Sequence, residues 1–260
     1  QFLDYARDLQ TGILTPARID PAIHREVPLR SPVGTLRAFV QSNPGAFLRA
    51  LAPSAPEYSR LMGEKMKLER LLASGGWGPT VPGRQYELGD SGAGVVALRN
   101  RLMVMGFLER TNTQTYDDSI FSAVQRFQQA HGLAIDGAVG PGTLAEINVG
   151  PERRLQSVIV AMERERWINR PRGERHIWVN LTDFTAKIID NDVETFSTRS
   201  VIGARDRERA SPEFSDVMEF MVINPSWYVP RSIITKEYLP QLRNNPNAVR
   251  NLVITDSRGR

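Results

Sequence analysis

The chain of 260 residues contains no cysteine and only three histidines, His24, His131 and His176. The absence of cysteine excludes disulfide bonds, thiolate zinc sites and a cysteine nucleophile within these residues. The histidines lie in three separate segments, and none is accompanied by another ligand at the spacing of a metal site. No Gly-x-Ser-x-Gly motif marks a serine nucleophile either. The sequence therefore predicts structural histidines and no metal site.

Long hydrophobic runs are also missing, and residues 158–162, "VIVAM", are among the longest. A membrane-spanning helix needs about 20 consecutive apolar residues, so the sequence predicts no transmembrane segment. The chain begins "QFLDYARDLQ", with neither an initiating methionine nor a signal peptide. We expect that the native N-terminus was removed or lies upstream, so no targeting signal indicates the compartment.

Charge of neither sign dominates, because 33 Lys and Arg residues oppose 29 Asp and Glu residues, for a formal net charge of +4. This mild excess is compatible with an anionic partner such as a cell-wall polymer, a membrane surface or nucleic acid. It is equally compatible with a solvated, arginine-rich surface. The arginines are dispersed, and no basic block or interleaving of basic and aromatic residues occurs. We therefore expect no nucleic-acid partner.

The first 83 residues are predicted to form a helical scaffold. Ser31 is a predicted helix cap, and apolar residues recur at helical spacing over 58–72. A Gly-Gly pair then ends this helix, since glycine tolerates positive φ. The Gly- and Pro-rich stretch 76–84 is the first predicted domain boundary.

Three short helices are predicted within 84–149. The first is capped by Asp90 or Ser91, and the second places Phe127 and its apolar neighbours inward. The loop 136–143, "DGAVGPGT", precedes the third helix. It lacks the Lys-Ser/Thr ending of a P-loop, so a turn that needs glycine torsion angles is favoured over a phosphate site.

Residues 150–175 are predicted to be a connecting helix of the scaffold, and 176–260 a β-rich domain with a helical insertion. Apolar residues alternate with period two at the start of this domain, and Asp-Asn-Asp at 190–192 is predicted to turn a hairpin. Further strands are predicted over 218–223 and 251–256. The predicted fold class is therefore multidomain α+β.

Two sets of side chains are candidates for chemistry. Glu163 and Glu165, each next to arginine, are interpreted as surface ion pairs rather than an acid/base couple. The stretch "NPSWYVP" presents Trp227, Tyr228 and Pro230. These residues either plug a core at the end of a strand or form the wall of a cleft for an extended substrate.

Residues 86–148 resemble a peptidoglycan-binding domain of the three-helix type. The resemblance rests on "LGDSGAGVVALRNRLMVMGFL" and on "VQRFQQAHGL" followed by "DGAVGPGT". It implies that this part of the chain binds peptidoglycan. It does not assign individual contact residues within 84–149.

Residues 176–233 resemble the front half of an L,D-transpeptidase catalytic domain, of the large kind that carries a lid. The similar features are a "VNL" strand, a "VIG" strand at 201–203, a Pro-Glu-Phe-Ser turn at 212–215 and the "NPSWYVP" signature. "LQTGILTP" and "MERERW" are similar to the helical scaffold of that family. The resemblance implies that the aromatic pair and Pro230 flank the substrate cleft, and that the insertion 234–249 begins the lid.

Enzymes of this family use a cysteine nucleophile in a Ser-x-Gly-Cys-x-Arg stretch, activated by a histidine. Neither occurs here, and we expect both to follow Arg260, so that the chain is truncated before the catalytic motif and inactive alone. The implied reaction is acyl transfer, in which a thiolate attacks the amide after the third residue of a tetrapeptide stem. Terminal D-Ala leaves, and an amine then takes the acyl group. No metal or organic cofactor is implied.

Two functions remain open at this point. The first is the N-terminal portion of an L,D-transpeptidase with its own wall-binding domain, and the second is a non-catalytic peptidoglycan-binding protein. Both predict the glycan strands and stem peptides of peptidoglycan as partners. The resemblance also implies a periplasmic or cell-envelope location.

Overall fold

A computed structural model describes residues 1–83, 85–204, 209–250 and 252–255. The chain forms two compact units, residues 1–215 and 216–260. Helices and strands follow one another in separate blocks, so the predicted multidomain α+β class is confirmed. Among the helices described, none is both long and apolar enough to cross a membrane.

The N-terminal scaffold is built from helices and a short strand: α1 (Phe2–Thr11), α2 (Pro16–Ile19), β1 (Ile23–His24), α3 (Pro32–Gln41), α4 (Pro44–Arg49) and α5 (Pro56–Ala73). Helices α2 to α5 all begin at proline, whose fixed φ suits the first turn and whose missing N–H needs no partner there. Ser31 accepts a hydrogen bond from the Gly34 N–H at 3.3 Å, which confirms the predicted cap. Gly75 and Gly76, with φ of +99° and +75°, follow the end of α5 as predicted.

The connecting helix α9 (Pro151–Trp167) packs along α5. Tyr58 on α5 is buried, as are Met162 and Trp167 on α9. The Tyr58 hydroxyl also accepts a hydrogen bond from Arg166 Nη2 at 2.9 Å. Helices α5 and α9, whose residues Tyr58 and Arg166 are 108 positions apart in sequence, therefore pack through apolar side chains, which is why α9 has a buried face.

The middle of the chain forms a three-helix bundle of α6 (Ala93–Val104), α7 (Asp118–Ala130) and α8 (Pro141–Ile147). Its core is closed and contains Val81, Val95, Leu98, Leu102, Leu108, Tyr116, Ile120, Ala123, Val124, Phe127, Val139, Leu144 and Ile147. The predicted cap of α6 was wrong, because Gly92, and not Asp90 or Ser91, is the N-cap. Ser91 instead forms a β-bridge with Thr115, and the Asp90 carboxylate accepts the Glu87 N–H at 2.9 Å.

A three-stranded antiparallel sheet follows, in the order β2 (Arg175–Asn180), β3 (Thr185–Asp190) and β4 (Val193–Arg199). The predicted hairpin turn is confirmed, since Asn191 and Asp192 have φ of +49° and +63°, as a two-residue turn between twisted strands requires. The predicted period-two alternation of apolar residues in β2 is also confirmed. The apolar face of this strand is open to solvent, since Ile177 is 52% exposed and Val179 46%.

Four predicted features of the β-rich region were wrong within the described residues. Residues 201–203 form no strand, and the predicted turn at 212–215 contains β5 (Glu213–Phe214), which pairs in parallel with β1. Residues 218–223 are exposed and belong to no strand, because an apolar run becomes a strand only where a neighbouring strand supplies hydrogen-bond partners. In the last predicted strand, 252–255 are not extended into a ladder, and 251 and 256 lie outside the described residues.

The unit 216–260 contains the predicted helical insertion. It consists of α10 (Arg231–Ile233), a π-helical turn (Ile234–Tyr238) and α11 (Leu239–Asn244). None of these helical residues is buried.

Candidate functional site

An open groove of about 580 Å³ lies between the linker 74–79 and one side of α6. The α6 wall is a stripe at helical spacing that runs from Ala93 through Val96 and Ala97 to Val104. This stripe differs from the core-facing side of the helix, which carries Val95, Leu98 and Leu102. The groove is therefore formed where the scaffold meets the bundle, outside the bundle core.

Arg101 lies in the wall of this groove and is only 4% exposed. Its Nη2 donates to the carbonyl oxygen of Pro79 at 2.9 Å and, more weakly, to that of Gly78 at 3.4 Å. The guanidinium carbon lies 6.0 Å from the ring centroid of Trp77, at the outer limit of a cation–π contact. Its Nε is enclosed and has no acceptor among the described residues, and burial lowers the pKa of Arg101.

Neither Trp77 nor Arg101 was among the predicted site residues. A signal existed in the sequence, since Arg101 is three residues after Leu98 and one before Leu102, at the border of the predicted apolar stripe. A cation at such a position has to find polar partners inside the fold. Those partners come from the backbone of the Gly/Pro-rich linker, and nothing in the sequence shows how that linker folds back.

Glu163 was interpreted as a surface residue, and this was wrong, because it is buried. Its Oε1 accepts the N–H groups of Ile13 and Leu14 at 2.8 and 2.9 Å, and the indole N–H of Trp167 at 3.1 Å. Its Oε2 lies 3.3 Å from Arg166 Nη1. The carboxylate therefore holds the chain that follows α1 against α9, which is a structural task.

Glu165 is an ion-pair residue, as predicted, although it is not at the open surface. Its carboxylate lies 3.0 Å from Arg172, which also contacts Glu57 at 3.2 Å. Burial raises the pKa of Glu165 despite the opposing effect of Arg172. The guanidinium of Arg172 stacks over Trp178 at 4.6 Å, so this cluster joins both long scaffold helices to strand β2.

Strand β5 is fixed to the scaffold by a second charge cluster. Glu213 accepts a hydrogen bond from Arg25 at 2.6 Å and forms an ion pair with Arg164 of α9. The Arg25 side chain is 13% exposed and that of Glu213 22%, so the pair is partly shielded from solvent. These contacts stabilise the β1–β5 pair and do not create a site.

The three histidines lie apart, as their sequence positions predicted. His24 is exposed in β1, and His131 stacks on Phe127 at 4.0 Å between ring centroids, with its Nδ1 2.8 Å from the Phe127 carbonyl oxygen. His176 lies in β2, and its buried Nδ1 has no hydrogen-bond partner within the described ranges of the chain. Across the part of the chain that the structure describes, no group of three or more His, Cys, Asp or Glu residues is arranged to hold a metal ion.

The glycine-rich loop 136–143 forms a turn, in agreement with the favoured interpretation. Gly137 has φ of +73°, and its N–H donates to the side-chain oxygen of buried Gln128 at 2.9 Å. The Gln128 amide nitrogen donates to Asp136 at 2.8 Å and to the Ala138 carbonyl at 2.9 Å. These groups of the loop are bonded within the bundle, so they do not form an open anion cradle.

The three cleft candidates lie in the unit 216–260. Trp227 is 61% exposed and Tyr228 87%, so neither plugs a core in this structure. Pro230 is exposed and is the N-cap of α10. The structure does not bring them together with another polar group into a pocket among the described residues, and the cleft interpretation stays a prediction.

Three family models match successive parts of the chain. Residues 1–64 match a scaffold domain, 91–147 a putative peptidoglycan-binding domain, and 174–256 the L,D-transpeptidase catalytic domain. No curated protein sequence matches the chain. The second match covers helices α6 to α8, and the third covers the antiparallel sheet and the helical insertion. These matches, in this order along the chain, support an L,D-transpeptidase family protein that carries a peptidoglycan-binding domain.

Proposed function

We propose that the chain is part of a peptidoglycan-remodelling L,D-transpeptidase whose cysteine nucleophile is not among these 260 residues. The observation that supports this proposal is the catalytic-domain match over 174–256 in a sequence without cysteine. The peptidoglycan-binding match over 91–147 indicates a cell-envelope protein that binds the wall polymer. A periplasmic location is part of the proposal.

The proposed reaction has two acyl-transfer steps. A thiolate attacks the amide carbonyl after the third residue of a tetrapeptide stem, and the C–N bond breaks as terminal D-Ala leaves with a proton. An amine of a neighbouring stem then attacks the thioester, which forms a new amide and returns the thiol. Because a free thiol has a pKa of about 8.5, it needs a neighbouring imidazole to ionise at neutral pH. No step requires a metal or an organic cofactor.

The described residues have supporting roles in this proposal. The sheet β2–β4 supplies part of the catalytic domain, and the ion pairs of Arg172 join it to the scaffold. Trp227, Tyr228 and Pro230 flank the substrate cleft, and residues 234–249 form the start of a lid that excludes water from the acyl-enzyme. The proposed domain boundaries are 1–83, 84–149, 150–175 and 176–260.

A mass-spectrometric acylation assay tests the placement of the nucleophile. Carbapenems acylate the cysteine of this family, so the 260-residue chain should show no covalent adduct after incubation. A sample of the gene product extended beyond residue 260 should gain the mass of one carbapenem. An adduct on the chain as given would show a nucleophile inside it and would contradict the proposal.

A non-catalytic peptidoglycan-binding protein is the second candidate function, and the self-contained core of the bundle favours it. Both candidates predict that the chain sediments with purified cell-wall sacculi, with chitin as the control polymer that lacks stem peptides. The coding sequence after residue 260 separates them: a Ser-x-Gly-Cys run supports the enzyme, and a stop codon supports the binding protein.

A further inference from the structure

The groove beside α6 contains a buried cation with no counter-ion in the part of the chain that the structure describes. Arg101 is 4% exposed, and its recorded acceptors are two backbone carbonyl oxygens, those of Gly78 and Pro79. Both are bonded to Nη2, while Nε is enclosed without an acceptor. Carbonyl oxygens satisfy hydrogen bonds but carry no negative charge, and a buried charge is costly unless it is paired. An anion in the groove would remove that cost.

The remaining wall of the groove is apolar and partly flat. Trp77 of the linker is half-buried, and Val96 and Ala97 of α6 lie on the opposite wall. An indole face packs well against the C–H face of a sugar ring or a peptide methyl group. The groove therefore combines one cationic group with one flat apolar surface, a combination that suits a small carboxylate attached to an apolar face.

We propose that this groove binds a carboxylate-bearing unit of peptidoglycan, with Arg101 taking the carboxylate and Trp77 contacting the adjoining apolar face. The proposal rests on the peptidoglycan binding proposed above. Guanidinium groups bind carboxylates through charge-assisted, often bidentate, hydrogen bonds that are stronger than neutral ones. Two parts of the polymer offer this chemistry, namely the lactyl carboxylate of a muramic acid that carries no stem peptide and the terminal carboxylate of a stem peptide.

The Ala97→Glu variant of the full chain is the first test, because position 97 lies one helical turn before Arg101 in the same groove wall. A glutamate there supplies the missing carboxylate from within the protein. We expect its melting temperature to rise by about 2 °C or more and its affinity for a carboxylate ligand to fall about tenfold or more. Ala97→Gln, which matches the size without the charge, should give no rise in melting temperature.

The Arg101→Gln variant removes the cation itself. Binding of N-acetylmuramic acid, followed by NMR on the Trp77 indole N–H, should weaken about tenfold or more. Arg110→Gln is the matched control, since Arg110 is an exposed arginine of the same bundle and its loss changes the net charge equally. If Arg101→Gln fails to fold, the measurements on Ala97→Glu test the proposal instead, because that variant keeps Arg101 and its contacts with the backbone.

Paired ligands, one with a free carboxylate and one with that group blocked, show whether the carboxylate comes from the glycan or from the stem peptide. N-acetylmuramic acid is compared with its methyl ester, and a stem tetrapeptide with its C-terminal amide. Loss of affinity on esterification assigns the glycan, and loss on amidation assigns the peptide. Equal binding within both pairs, or unchanged binding by Arg101→Gln and Ala97→Glu, would overturn the proposal.

Sedimentation with sacculi distinguishes a failure of the groove assignment from a failure of the proposed peptidoglycan binding. If wild type and all variants sediment equally with sacculi and the ligand pairs show no difference, the groove is not the site, and peptidoglycan binding stands. If wild type does not sediment with sacculi, the peptidoglycan binding fails and the groove assignment fails with it.

Discussion

The bundle α6–α8 and the sheet β2–β4 differ in how far their apolar residues are buried. The bundle buries a continuous core in which Leu98, Leu102 and Phe127 are 0% exposed. No strand residue of the sheet is buried, and Phe196 of β4 is 54% exposed. The sheet is held by its ladder hydrogen bonds, its hairpin turns and the Arg172 cluster on one strand.

This difference shows that local pattern and burial are separate properties. Helices that are neighbours in sequence can cover one another, so the bundle acquires a core from about sixty residues. A sheet with one apolar face needs another layer, which its own strands do not supply. The bundle should therefore behave as a stability unit of its own, whereas substitutions on the open face of the sheet should have little effect.

The largest contrast is expected from truncating one phenylalanine in each region. Phe127→Ala should lower the free energy of unfolding of the bundle by about 3–5 kcal/mol, because it leaves a cavity in a closed core. Phe196→Ala should change the stability of the sheet by less than about 0.5 kcal/mol, since its side chain is largely solvated. Amide hydrogen exchange, read separately in peptides from each region, measures both effects. Equal losses of protection would show that the sheet has a hidden core.

A smaller effect is expected from a glycine that the bundle requires. Gly137 has φ of +73°, and a Cβ there would lie 2.3 Å from the ring of Phe121. Gly137→Ala should therefore destabilise the bundle by about 1–3 kcal/mol. Gly142→Ala is the control, because Gly142 lies in α8 with open space around it and should stabilise by about 0.5–1 kcal/mol. Loss of stability in both variants would show that helix α8, and not the turn, is the sensitive element.

The N-cap of α7 should connect bundle stability to acid pH. The hydrogen bond from Ser119, followed by the Ile120 N–H, lowers the pKa of Asp117 below its ordinary value of 3.8. Because the folded pKa is the lower one, this stabilisation is present above the ordinary value and is lost as the pH falls through the lowered pKa. Asp117→Ala should cost about 1 kcal/mol at pH 7. Asp117→Asn keeps a cap but cannot titrate, so its acid unfolding curve should be flatter; an unchanged curve would exclude Asp117 as a contributor.

The smallest effect is expected in the hairpin that joins β3 and β4. Asp192 has φ of +63°, a conformation that glycine adopts without steric cost. Asp192→Gly should stabilise the hairpin by about 0.5 kcal/mol. Slower amide exchange in β3 and β4, with no change in α6–α8, is the expected readout. Faster exchange would mean that the Asp192 side chain contributes more than its backbone strain removes.

Several features of the scaffold and of the hairpin were predictable because their signals are local. Ser31, the paired glycines after α5 and the Asn191 turn each act within a few residues of chain. The strand predicted at 218–223 was wrong for the opposite reason, since a strand needs a partner that its own sequence does not identify. The cleft role of Trp227 and Tyr228 depends in the same way on distant parts of the chain, and it stays a prediction.

The sequence by itself determined the order of the parts: helical scaffold, three-helix bundle, period-two strands and helical insertion. It also determined that these residues contain no thiol. Only the tertiary structure decided that Glu163 is buried, and that Arg101 lies beside Trp77 with no counter-ion among the residues that the structure describes. Periodicity reports which residues share a face of one element, and it carries no information on which distant backbone will meet that face. The free-energy cost of burying a charge depends on which groups from distant segments contact it. Buried charges such as these therefore become apparent only in the folded chain.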